Sequence, residues 1–202
     1  MDKHQSESLA RGLLAGKISI EQFVNRITAA PTARLQEANL DLDRIDRCGA
    51  AEVIFGEGKS IESLQSLATA LQDHGQGVLI TRISSAQAGP LIKLFPEADY
   101  DPVARTLCID STSEGSVPAW SLLGRVCVVS AGTTDLPVAE EARVTASWIG
   151  VSVDAIYDVG VAGPHRLLEQ MDTLRNADAV VVVAGMEAAL ASVVGGHLAC
   201  PI

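Results

Sequence analysis

Three short segments in the last third of the chain gather the residue types that bind anions and move protons. The first, Ser130-Ala131-Gly132-Thr133-Thr134-Asp135, combines small residues, hydroxyls and a carboxylate. Where such a segment leaves a strand and opens a helix, free backbone N–H groups and hydroxyls can receive phosphate or carboxylate oxygens. The alternative is an N-cap on Thr134 or Asp135, with Gly132 serving the turn. The second segment runs from Asp158 to Arg166 and offers Gly160 and Gly163 for close backbone approach, Pro164 at a helix start, then His165 and Arg166 in the first turn. A guanidinium there can clamp an anion through two parallel hydrogen bonds. A histidine in the positive field of a helix N-terminus resists protonation, which suits a proton acceptor; a satisfied structural histidine is the alternative. The third, Gly185-Met186-Glu187, sets a carboxylate at an expected helix N-terminus, where the helix dipole alone would account for it. Cys200, in Ala199-Cys200-Pro201-Ile202, reads by default as a buried structural thiol.

These segments gain meaning from the elements that must hold them. The pattern predicts strands at Arg125 to Val129, Val153 to Tyr157 and Ala179 to Ala184. Helices alternate with them at Pro137 to Gly150, at Pro164 to Arg175 and from about Glu187. Three successive βα units imply a doubly wound parallel sheet with right-handed crossovers. In such sheets ligands bind beyond the carboxyl ends of the strands, where all three segments fall.

Upstream the pattern is less regular. Leu9, Leu13 and Leu14 before Gly16, and the capping-box spacing of Ser19 to Gln22 ahead of Phe23, Val24 and Ile27, predict a helical hairpin. Pro31 to Gly49 reads as weak, exposed strands, and Val53 to Phe55 as a short one. A helix capped by Ser60 should run to Gly75, followed by a strand at Val78 to Thr81, a helix at Ala86 to Leu94 and a strand at Val103 to Ile109. The polar run from Ser111 to Ser116 reads as a linker, dividing a smaller α+β N-terminal domain, residues 1–115, from an α/β domain, residues 120–202. Gly56-Glu57-Gly58-Lys59-Ser60 resembles a phosphate-binding loop, but that motif needs glycine where Val53 stands.

The 202 residues carry 15 Lys and Arg against 25 Asp and Glu, a net charge of −10 that argues against a nucleic-acid binder. Only 3% of residues are aromatic within a hydrophobic share of 48%, so aliphatic side chains must fill the interior, as parallel sheets covered by helices require. Four cysteines without a C-x-x-C pair suggest free thiols in a reducing cytosol, and the N-terminus shows no secretory pattern, so a cytoplasmic location is expected. Ala179 to Leu198 is long enough to span a bilayer but reads instead as strand, turn and small-residue helix, so no membrane association is expected. No His and Cys cluster favours nickel or another transition metal.

Taken together, the segments Val129 to Ala142, Asp158 to Arg166 and Val183 to Gly196 resemble the LarB family, as does Arg47 to Ser60 upstream. That family is the pyridinium biscarboxylic acid mononucleotide synthase, first enzyme of nickel-pincer cofactor synthesis, and is similar to the aminoimidazole ribonucleotide carboxylases (PurE) of purine synthesis. The resemblance implies a flavodoxin-like, PurE-type C-terminal domain. It implies carboxylation of the pyridinium ring of nicotinic acid adenine dinucleotide by CO2 or bicarbonate, with cleavage of the phosphoanhydride to release AMP. By match to Gly-Gly-x-x-x-Cys-Pro, Cys200 would be a thiolate nucleophile, with His165 in proton transfer and Glu187 as a second acid or base. Ser130, Gly132, Thr133, Thr134, Asp135, Gly163, Arg166, Gly185 and Met186 would bind substrate. No tightly bound cofactor and no protein metal site are implied; Mg²⁺ carried on substrate phosphates beside Asp135 or Glu187 is compatible with the residues, though no ligand spacing supports it. A homo-oligomer, an octamer in the superfamily, is the expected assembly.

The purine enzymes carry Gly-Ser-x-Ser-Asp at the first segment and no cysteine at the third, and both differences favour LarB. LarB proteins continue beyond the Cys-Pro into a strand, a glycine-rich loop and helices, so the chain is expected to be C-terminally truncated. An aminoimidazole ribonucleotide carboxylase or mutase, and an inactive nucleotide-binding fragment, are the alternative readings.

Overall fold

The computed structural model describes residues 3–28, 32–35, 39–110 and 124–202. By internal contacts the chain forms two compact units, Met1–Glu52 and Val53–Ile202. The linker and domain boundary expected after residue 110 lie outside the described residues.

In the first unit, α1 (Lys3–Leu14) and α2 (Ile20–Thr28) form the expected helical hairpin. The capping box is made: Ser19 Oγ accepts from the Gln22 N–H at 3.1 Å, and Gln22 Oε1 accepts from the Ser19 N–H at 2.8 Å. β1 (Thr32–Arg34) and β2 (Asn39–Asp41) pair antiparallel. This strand pair is less exposed than its charge suggested, because Leu40 is buried. A short helix, α3 (Arg44–Cys48), follows where no helix was expected, closed by Gly49 in the left-handed conformation.

The second unit contains two sheets. β3 (Val53–Phe55), α4 (Ile61–Asp73) and β4 (Val78–Thr81) make a parallel βαβ unit, with α4 capped by Ser60 Oγ on the Ser63 N–H at 3.1 Å. α5 (Ser85–Leu94) opens with a full capping box between Ser84 and Gln87. The segment read as one strand from Val103 is instead the second half of a hairpin, β5 (Asp99–Asp101) and β6 (Thr106–Ile109). Its turn is set by Asp101, whose Oδ1 accepts from the N–H groups of Val103 and Ala104 at 2.8 and 3.0 Å. The sheet order is β3-β4-β6-β5.

The second sheet is built from β7 (Arg125–Ser130), β8 (Ser152–Ile156) and β9 (Ala179–Val183), all parallel, in the order β8-β7-β9. This is the flavodoxin-like order at its switch point: the chain leaves the central β7 to one neighbour and returns over it to the other. α6 (Leu136–Ile149) packs on β7, β8 and β9 with one side and on β4 and β6 with another. The helix expected over Pro164 to Arg175 is two short helices, α7 (Pro164–Leu168) and α8 (Met171–Arg175), because the first closes with a tight bond from the Gln170 N–H to the Leu167 carbonyl. α9 (Ala189–Gly195) follows β9. Cys127, Val129, Val180, Leu167, Met171, Leu174, Leu190 and Val194 form the core on the sheet face opposite α6. Among the described residues no helix is long and apolar enough to cross a membrane.

Candidate active site

Parallel strands end together, so Ser130, Ile156 and Val183 deliver their loops to one edge. Backbone bonds join those loops. The Ala131 N–H donates to the Val183 carbonyl at 3.0 Å, the Val159 N–H to Ser130 at 3.1 Å, and the Gly160 N–H to Ala131 at 2.9 Å. Gly160 is required by this approach, since a Cβ there would lie 2.8 Å from the Ala131 carbonyl oxygen.

Asp135 is the principal side-chain tie. Its Oδ2 accepts from the Gly132 N–H and its Oδ1 from the Gly185 N–H, both at 2.9 Å. The carboxylate thus holds the loop after β7 to the loop after β9, a role distinct from direct substrate contact. A 3-10 turn, Thr133–Asp135, leads into α6, and the two threonines are exposed at the edge. Ser130 behaves differently from its neighbours. Its Oγ is fully buried and lacks a hydrogen-bond partner. Protein atoms enclose this hydroxyl, so it lines the interior beneath the edge rather than the edge itself.

The loop after β8 presents His165, exposed in the first turn of α7, and Arg166, whose Nη1 lies 2.8 Å from Asp158 Oδ2. Gly163 makes room for that pairing, because a Cβ there would meet Arg166 Nε at 2.7 Å. Asp158 adopts φ +58°, a conformation that costs of order 1–3 kcal/mol for a non-glycine residue and concentrates at functional loops. At the foot of this loop the Tyr157 hydroxyl donates to Glu140 of α6, which also binds Arg143 Nε at 2.8 Å. Burial, followed by the hydrogen bond and charge of Glu140, pushes the Tyr157 phenol up to about 12. The sequence alone did not pair Asp158 with Arg166 or Tyr157 with Glu140; the phenol and carboxylate standing together directly after β8 were the available signal.

Glu187 stands just ahead of a helix rather than in its first turn. The helix begins at Ala189, two residues later, and Met186 and Ala188 flank Glu187 with φ of +55° and +56°. Its exposed carboxylate therefore gains no first-turn helix dipole. Among the described residues no group of three or more His, Cys, Asp or Glu side chains is placed to hold a metal ion.

Cys200 is placed apart from the loops. The Val180 N–H donates to the Pro201 carbonyl at 2.9 Å, and Cys200 packs against the core cluster that holds Cys127. Val180 precedes the end of β9 by three residues, about 10 Å along a strand. The structure thus assembles Gly132, Asp135, Gly160, Gly163, Arg166 and Gly185 at one edge, with Ser130 beneath it and His165, Thr133 and Thr134 on its rim.

The profile of the LarB/PurE-like N-terminal domain matches residues 32–111. An uncharacterised protein, MJ0165, of Methanocaldococcus jannaschii is 32% identical over 195 residues, covering 93% of this chain and 75% of the relative. The strand order, the joined loops and this similarity define an α/β protein of the carboxylase class. The chain belongs to the LarB/PurE-like family.

Proposed function

We propose that the chain carboxylates the pyridinium ring of nicotinic acid adenine dinucleotide with CO2 or bicarbonate and that phosphoanhydride hydrolysis releases AMP. The carrying observation is the gathering of three strand-end loops at the switch-point edge, fastened through Asp135 and Gly160, with His165, Thr133 and Thr134 exposed on it. A pyridinium carbon is electron-poor and does not attack CO2. Thiolate addition to the ring would create a dihydropyridine whose enamine carbon does; loss of the ring proton to a base and expulsion of the thiolate would restore aromaticity. In this reading His165, exposed on the rim, takes the ring proton, and Thr133, Thr134 and Arg166 receive anionic oxygens. The thiolate is assigned to Cys200, which reaches the ring only if the segment after Leu198 leaves its position beside β9.

The test is mass spectrometry of a reaction with the dinucleotide, Mg²⁺ and labelled bicarbonate, followed for AMP and a labelled dicarboxylated mononucleotide. Formation of both supports the reading, and formation of neither refutes it for this chain. Unchanged turnover in Cys200→Ala would remove the thiolate step while leaving carboxylation in place. Turnover of aminoimidazole ribonucleotide, without any need for Cys200, would select the purine-type reaction instead.

A further inference from the structure

A second strand-end edge in the same compact unit carries cations that the proposed reaction leaves unused. β3 and β4 are parallel, and at their carboxyl ends the Gly56 N–H donates to the Thr81 carbonyl at 2.7 Å. Directly after β4 stands Arg82, and directly before β6 stands Arg105. They adopt φ of +54° and +53°, which only glycine adopts freely. The Ile83 N–H donates to the Arg105 carbonyl at 2.9 Å, and Arg105 Nη2 to the Arg82 carbonyl at 3.2 Å, so the two strained arginines brace one another.

Their charges are treated differently. Arg82 Nε lies 2.5 Å from Glu141 Oε2 on α6. Arg105 is half-buried, and among the described residues no carboxylate pairs with it. The nearby cations of the proposed site each already face a carboxylate: Arg166 faces Asp158 through Nη1, and Arg143 faces Glu140 and Asp101. In a chain of net charge −10, an anionic substrate needs local positive charge, and Arg105 supplies it without first breaking an ion pair. Glu141 lies five residues into α6, about 7–8 Å along its axis, so this edge and the loop after β7 fall within the span of one dinucleotide.

We propose that Arg105, braced by Arg82, forms a second anion subsite that binds the phosphate of the nucleotide half that is not carboxylated. This rests on the dinucleotide reading above. The test is calorimetric titration of wild type, Arg105→Gln and Arg105→Lys with AMP and, separately, with nicotinic acid mononucleotide. Loss of a charge-assisted contact should weaken AMP binding about tenfold or more in Arg105→Gln and less in Arg105→Lys, with nicotinic acid mononucleotide unchanged. Equal AMP affinity in wild type and Arg105→Gln, no AMP binding to wild type, or equal losses for both mononucleotides would overturn the subsite. These titrations need no turnover. Absence of a carboxylated product therefore refutes the reaction alone, while absence of selective AMP loss refutes the subsite alone.

Discussion

Replacing Asp135 with Ala tests whether one carboxylate fastens the loop after β7 to the loop after β9. The substitution removes two charge-assisted bonds, to Gly132 and Gly185, each 2.9 Å long. Each such bond contributes about 1.5–3 kcal/mol when formed, and partial exposure of this carboxylate argues for the lower part of that range. A loss of about 2–4 kcal/mol follows, which for a chain of this length lowers the melting temperature by on the order of 10 °C. Asparagine keeps one acceptor but turns an N–H donor toward the second amide, so Asp135→Asn should recover less than half of the loss. Hydrogen exchange gives the local readout: the Gly132 and Gly185 amides, from loops after different strands, should lose protection together. Stability within about 0.5 kcal/mol of wild type, or faster exchange at only one of the two amides, would refute the reasoning.

Gly160→Ala should cost about 1–3 kcal/mol in urea unfolding, because its Cβ would press on a backbone oxygen that cannot swing aside. Ser130→Ala should leave stability in urea unfolding unchanged or slightly raised, since it removes an unpartnered buried hydroxyl; lowered stability would mean that the hydroxyl has a partner in the folded chain. Burial, the Asp154 carboxylate and Cys200 push the Cys127 thiol up to about 11. The unfolded thiol loses its proton near its ordinary pKa of about 8.5, so the stability linked to Cys127 is fully present below that pH and is lost as pH rises toward about 11. Urea midpoints of wild type should fall more steeply over that interval than those of Cys127→Val, and parallel curves would contradict the assignment.

Much of the fold was readable because its signals are local. Ser19 and Ser60 each stand before a helix at capping distance, and the Val-rich runs of β7 and β9 have no competing periodicity. What escaped were elements shaped by long-range partners. β5 reads Asp-Tyr-Asp, which has no apolar run, and becomes a strand only because β6 pairs with it. The site divides in the same way. Loop composition marked Ser130, Asp135, Gly163 and Arg166, yet composition cannot say that Asp135 spends both oxygens on backbone amides or that Arg166 already holds Asp158. α9 starts after Glu187 because the residues on either side of it, Met186 and Ala188, are both left-handed and neither is glycine.

α6 has sheets on two sides. It contacts the parallel strands β7, β8 and β9 and also β4 and β6, with Arg143, Val144 and Ser147 beside Thr106 and Cys108 of β6. Each sheet therefore has one face that α6 helps to cover. A fragment ending near residue 111, where the family profile ends, would leave the α6-facing side of its sheet bare to water. The two sheets should instead melt as one cooperative block, and a cut anywhere in α6 should be felt in both, however intact the rest of each half remains.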